Sequence, residues 1–179
     1  MDRRVRKTQT AIKKAFFELL KEKGIEGVKV SRICELADIN RGTFYLNYID
    51  KYDLLEKTIS ESIDELIEKC EADAADPVNL MALTFQYIIE HKGYYKVLIE
   101  ADKQGHFSDY LNRHILNFSS AQEIGNNTET IFISNGIIGV LNYYLSSNST
   151  SGEMLNDVSR ILKKFQGDNE LLAKLSNFK

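Results

Sequence analysis

Two cations open two helices ten residues apart in this sequence, and each follows a capping residue: Asn40 precedes Arg41, and Asp50 precedes Lys51. Asn and Asp are good N-caps because their side-chain oxygens accept from the unpaired N–H groups of the first turn. The helix macrodipole disfavours a cation at the first position by roughly 0.3–1 kcal/mol, so two such cations point to a bound anion. Helix N-termini are natural phosphate sites, where a phosphate turns each cation into a contact. The neighbours suit the same chemistry. Gly42 lets the backbone approach closely, Thr43 can face a base edge or a thymine methyl, and Tyr45 and Asn47 can donate to phosphate oxygens.

Other chemistries fare worse. His91, His106 and His114 lack the i, i+4 or paired-Cys spacing of a metal site, and neither Cys34 nor Cys70 belongs to a CxxC pair, so no metal is expected. Cys34 reads as a small core residue and Cys70 as a helix-face filler, with a redox-sensor role as the alternative for either. No Gly-rich phosphate loop follows a strand. The acid pairs Asp64/Glu68 and Glu61/Glu65 fit a solvated helix face better than general acid/base work. The expectation is a protein that is not an enzyme and carries no cofactor. Two cysteines and no leading basic-then-apolar stretch point to the cytoplasm.

Helical spacing runs almost throughout the 179 residues. Ile12, Ala15, Phe16, Leu19 and Leu20 predict an amphipathic helix over about 4–22, with Arg3, Arg4, Arg6 and Lys7 in its first turns and Gly24 as its stop. A short helix over Ser31–Ala37 and a second after Asn40 form a helix-turn-helix candidate, whose second helix would enter the DNA major groove N-terminus first. Ile39 is expected to staple onto Phe44, and Ile49 onto Leu54 at the start of a long helix reaching Cys70. Further helices are expected from Asp76-Pro77 to His91, after Gly93, over Phe107–Phe118, over the all-round apolar 131–145, from the Thr150–Glu153 capping box through Phe165, and over Leu171–Phe178. The stretch 119–129 reads as a loop. The sum is an all-α protein of about nine or ten helices. Charge divides likewise: residues 1–57 hold 13 Lys+Arg against 9 Asp+Glu, and the remainder 10 against 17. A basic module on an acidic body fits nucleic-acid binding, with chance asymmetry as the alternative.

Residues 33–55, Ile-Cys-Glu-Leu-Ala-Asp-Ile-Asn-Arg-Gly-Thr-Phe-Tyr-Leu-Asn-Tyr-Ile-Asp-Lys-Tyr-Asp-Leu-Leu, resemble the DNA-binding signature of the tetracycline-repressor (TetR) family of bacterial transcription regulators. The resemblance is colinear over about 5–57 and includes the Gly-Thr-Phe-Tyr core. It implies that Tyr45 and Lys51 clamp phosphates while Ser31, Arg41, Gly42 and Thr43 lie near base edges, with Asn40, Asn47, Arg3 and Arg4 completing the DNA-binding set. Asn47 stands where members often carry His, so it can hydrogen-bond but adds no charge. Residues 1–57 are then a three-helix helix-turn-helix domain and 58–179 a helical ligand-binding and dimerisation domain. The resemblance thus implies a regulator, in keeping with a repressor, that binds a palindromic operator in double-stranded DNA as a homodimer.

An effector pocket in the body is implied as well, for which Tyr87, Tyr94, Tyr95, Phe107 and Tyr110 are candidates. Aromatics at helical spacing also make ordinary core, and a regulatory protein partner is the alternative to a small-molecule effector. Helices at about 127–147 and 151–166 would form the dimer interface through Ile133, Gly136, Ile137, Val140, Leu141, Tyr144, Val158, Ile161, Leu162 and Phe165. The alternative is that 131–145 forms the centre of a monomeric bundle.

Overall fold

The computed structural model describes residues 3–72, 77–121, 127–147, 156, 157 and 160. Eight helices lie among them: α1 (Arg3–Gly27), α2 (Val30–Leu36), α3 (Arg41–Tyr45), α4 (Lys51–Glu71), α5 (Pro77–Glu90), α6 (Lys92–Ala101), α7 (His106–Ala121) and α8 (Asn127–Ser146). No strand occurs among the described residues, and the fold is all-α as expected. The helices expected over 151–166 and 171–178 lie outside the described residues, apart from 156, 157 and 160.

Local chemistry explains most boundaries. Gly24 breaks α1 with φ +64° and ψ 170°, a left-handed conformation open to glycine, and one more turn follows before Val28. In α3 the Asn40 side chain accepts from the Thr43 N–H at 2.7 Å. Asp50 accepts from the N–H groups of Tyr52 and Asp53 at 2.8 and 2.9 Å, and Asp53 reaches back to the Ile49 N–H at 2.8 Å. This reciprocal pair is a capping box built from two aspartates. Before α7, Asp102 accepts from the N–H groups of Gly105 and Phe107, and Gly105 takes φ +81°. The break between α5 and α6 falls at His91, not at Gly93, which sits inside α6.

The chain divides into two compact units. The first takes Met1–Leu66 and Gly93–Leu111. Its core joins Ile12, Phe16 and Leu20 of α1, Ile33 and Cys34 of α2, Phe44 of α3, Leu54, Ile59 and Ile63 of α4, Tyr95 and Leu98 of α6, and Phe107 of α7, all buried. Phe17 stacks on Tyr94 at 4.9 Å, and the Tyr94 and Ser62 hydroxyls share a hydrogen bond of 2.7 Å. Lys13 and Glu61 form an ion pair between α1 and α4. Burial lowers the Lys13 pKa, and Glu65 raises it part of the way back.

The second unit takes Ile67–Lys92 and Asn112–Lys179. Within it Leu80, Phe85 and Ile88 of α5 are buried, as are Ser134, Ile138, Leu141 and Leu145 of α8. Lys92 donates to the Ser147 carbonyl at 2.9 Å, and Asn112 to the Asn135 side chain at 3.1 Å.

Within the single chain, 131–145 is covered on one side only. Phe132 is 59% exposed and Tyr143 68%, with Gly136 and Gly139 exposed between them. Residues 134, 138, 141 and 145 lie at i, i+4, i+7 and i+11, as do 132, 136, 139 and 143. One row faces the core and the other faces out, because a helix in a single unit buries only one side.

Candidate nucleic-acid interface

The second short helix carries four rails of residues one turn apart, and each has a different fate. Phe44 and Tyr48 are buried and hold the helix to its unit, with their rings 5.7 Å apart. Thr43 and Asn47 are half-buried, and their polar groups are engaged within the fold. The Thr43 hydroxyl donates to the Asn40 side chain at 3.1 Å, and the Asn47 amide donates to the Thr43 carbonyl at 2.8 Å. Arg41 with Tyr45, and Gly42 with Leu46, form the exposed face. A Cβ on Gly42 would lie 3.2 Å from the Asn40 cap oxygen, so the missing side chain leaves room both for the cap and for an incoming molecule.

Lys51, expected to clamp a phosphate, is engaged within the fold. Its ammonium donates to the carbonyls of Ile25, Glu26 and Val28 at 2.9, 3.3 and 3.2 Å. The kink at Gly24 leaves these carbonyls without a continuing helix, and carbonyls at a helix C-terminus carry the negative end of its dipole. The cation that the α4 macrodipole disfavours is thus held at the end of α1. Tyr52 adds a second link, its hydroxyl donating to Glu26 at 3.3 Å while Lys51 lies over its ring. Lys57 donates to the Asn47 carbonyl and lies over the Tyr48 ring, tying down the turn between α3 and α4. Sequence reasoning gave Tyr52 and Lys57 no role. Their signal is an i, i+4 Asp53–Lys57 pair and an aromatic beside Lys51, both easily taken for surface residues.

The remaining DNA candidates sit on exposed surface. Arg3 and Arg4 occupy the first turn of α1, and Ser31 the first turn of α2. Arg32 beside it is paired with Glu35. Burial pushes the Cys34 thiol up, with the Arg41 charge drawing it part of the way back. A thiol held protonated is a poor redox nucleophile, so Cys34 acts here as core. Burial, reinforced by the charge of Asp53, pushes the Tyr48 phenol up to about 12.

Ile49 does not staple to Leu54. Leu54 is fully buried while Ile49 is 78% exposed, because the bond from the Ile49 N–H to Asp53 closes the turn with the side chain outside. Leu46 is 87% exposed.

Residues 12–58 match the family described as bacterial regulatory proteins, tetR family. The match covers 47 of the 179 residues, the stretch from α1 into α4. Members of this family are regulators and not enzymes. The HTH-type transcriptional regulator YxbF of Bacillus subtilis is 29% identical over 108 residues, covering 55% of this chain and 27% of that protein. The HTH-type transcriptional regulator SAR2658 of Staphylococcus aureus is 24% identical over 108 residues, covering 59% and 58%. The match therefore spans less than two thirds of either relative. Among solved structures, a TetR-family transcriptional regulator from Syntrophomonas wolfei aligns with TM-score 0.72 at 18% identity, covering 89% of this chain and 95% of its own. FadR from Bacillus subtilis, solved in complex with stearoyl-CoA, aligns with TM-score 0.66 at 20% identity, covering 86% and 96%. These likenesses establish the tetR-type fold.

The effector candidates fall in both units. Tyr94, Tyr95, Phe107 and Tyr110 lie in the first. There Tyr95 and Phe107 are packed core with rings 5.8 Å apart, and Tyr110 donates to Glu56 at 3.1 Å. Tyr87 lies in the second unit, where it accepts from Lys69 at 2.8 Å and lines a cleft of about 240 Å³ with Lys69, Cys70, Leu83, Gln86 and Glu90.

Of the dimer candidates, Leu141 is fully buried within its own unit and is a core position. Val140 and Tyr144 are half-exposed, the Tyr144 hydroxyl donating to Asp157 at 2.6 Å, and Gly136 is exposed. Val158, Ile161, Leu162 and Phe165 lie outside the described residues, as do the side chains of Ile133 and Ile137. No described helix is long and apolar enough to cross a membrane.

Proposed function

We propose that this chain is a cytoplasmic transcriptional regulator, acting as a repressor, that binds a palindromic operator as a homodimer. Its DNA-binding domain would be 1–57 and its ligand-binding and dimerisation domain 58–179. The observation that carries the reading is the exposed face of α3. Arg41, Gly42 and Tyr45 stand outward on a capped, rigidly held helix, while Thr43, Asn47 and Lys51 are engaged in holding it. Arg41 would read a base edge, Tyr45 would take a phosphate, and Ser31, Arg3 and Arg4 would add contacts from neighbouring helices.

One helix-turn-helix reads too few base pairs to find a unique site, so two must be held about 34–36 Å apart or a multiple of that. The outward row of α8, with Phe132 and Tyr143 flanking Gly136 and Gly139, supplies a face for an isologous contact. An effector in the helical body would control binding.

Selection of duplexes from a random pool, followed by binding at several salt concentrations, tests the reading. A palindromic consensus bound with steep salt dependence is expected; no enrichment overturns it. For the dimer, Tyr143→Glu should give folded monomers that keep weak half-site binding, whereas Leu141→Glu should unfold the chain. A Tyr143→Glu protein that still sediments as a dimer places the interface elsewhere.

A further inference from the structure

Four of the ten large apolar side chains exposed among the described residues fall within eight positions: Tyr45, Leu46, Ile49 and Tyr52. An exposed leucine alone is ordinary, but two of these four, Tyr45 and Leu46, belong to the outward face of α3. Leu46 is the most exposed of the ten, at 87%. Its backbone continues the helix, with φ −72° and ψ −21° and its N–H bonded to the Gly42 carbonyl, so its side chain follows the same rail as Gly42. Because Gly42 has no side chain, nothing from the preceding turn of that rail covers Leu46. The free fold gains almost nothing from the apolar surface of Leu46.

We infer that Leu46 is a specificity-determining residue that packs against a thymine methyl in the major groove. The inference rests on the DNA-binding reading of α3. Leu46 shares the exposed face with Arg41 and Tyr45, so whatever the face enters must also offer an apolar partner. In the major groove the C5-methyl of thymine is that partner, and it marks T·A against the other pairs. A leucine side chain can neither donate nor accept a hydrogen bond, so on a base-reading face it contributes sequence information only through this contact. Sequence reasoning assigned methyl contact to Thr43, whose hydroxyl is instead drawn back to the Asn40 cap.

The test uses the full chain and a duplex enriched from a random pool, with each thymine replaced singly by deoxyuridine. For the unmodified protein, one thymine per half-site should lose about fourfold in affinity when its methyl is removed, the worth of one buried methyl-sized group. Leu46→Ala should keep its thermal stability and bind the thymine duplex about as weakly as the unmodified protein binds the deoxyuridine duplex. It should show no further loss on methyl removal. A duplex that enriches but has no methyl-sensitive position overturns the inference while leaving DNA binding intact. Methyl sensitivity that survives in Leu46→Ala overturns it too, as does unchanged binding by that variant, which would make the patch a protein surface. Failure of any duplex to enrich removes the DNA-binding reading and this inference together.

Discussion

The starts of α3 and α4 are written in nearly the same sequence grammar and do different work. Each has an Asx cap whose side chain holds two donors, and each opens with a cation. Arg41 remains on exposed surface at the mouth of α3, while Lys51 is held by three carbonyls at the end of α1. The caps follow from contacts two or three residues apart, so shared grammar gives matching caps. The cations respond to what folding brings near them. For Lys51 that is backbone 23 to 26 residues away, so one cation is engaged within the fold while the other stays on the surface.

Substitutions at the two helix starts and the turn between them test this contrast. Lys51→Met should have the largest effect on stability, about 2 kcal/mol, since hydrogen bonds to a charged group are worth roughly 1.5–3 kcal/mol and the carbonyls would be left to water. Chemical denaturation would measure it. The salt slope of DNA binding should be unchanged, whereas a fall of about one counterion per subunit would return Lys51 to phosphate. Arg41→Ala should leave stability within about 0.5 kcal/mol and relax preference at one position per half-site by roughly 1–3 kcal/mol. Uniform weakening across sequences in a site-variant binding series would make it a phosphate contact only.

Removing the caps should produce matched, smaller losses. Asn40→Ala and Asp50→Ala should each cost about 1 kcal/mol in thermal unfolding. A much larger loss at Asp50 would show that the reciprocal bond from Ile49 to Asp53 depends on it. Tyr48, in the turn between the two helices, should give the smallest effect. Its hydroxyl is buried without a partner, so Tyr48→Phe should be neutral or slightly stabilising. The phenol pKa rises on folding from near 10 to about 12, so the fold favours the neutral form. Its contribution is complete below about pH 10 and is lost as pH rises through about 12. Tyr48→Phe should flatten that part of the alkaline stability curve, and an unchanged curve would remove Tyr48 as its cause.

Features that depend on neighbours within a turn or two were legible in the sequence alone. The all-α class, the Asn40 and Asp50 caps, the Gly24 break, the Pro77 start and the helix-turn-helix all arise from local hydrogen bonding and apolar periodicity. Tertiary packing settled which way side chains face and what distant groups they meet. Ile49 turned out and Leu141 turned in although both are apolar residues in apolar surroundings, because facing is set by the packed unit and not by residue type. Thr43 and Asn47 direct their donors to the helix that carries them, and Lys51 directs its own to α1. The same residue types could have served phosphate. Periodicity records that a helix has a buried side, but it carries no distance to a carbonyl 26 residues earlier in the chain, and that distance sets the partner Lys51 meets in the fold.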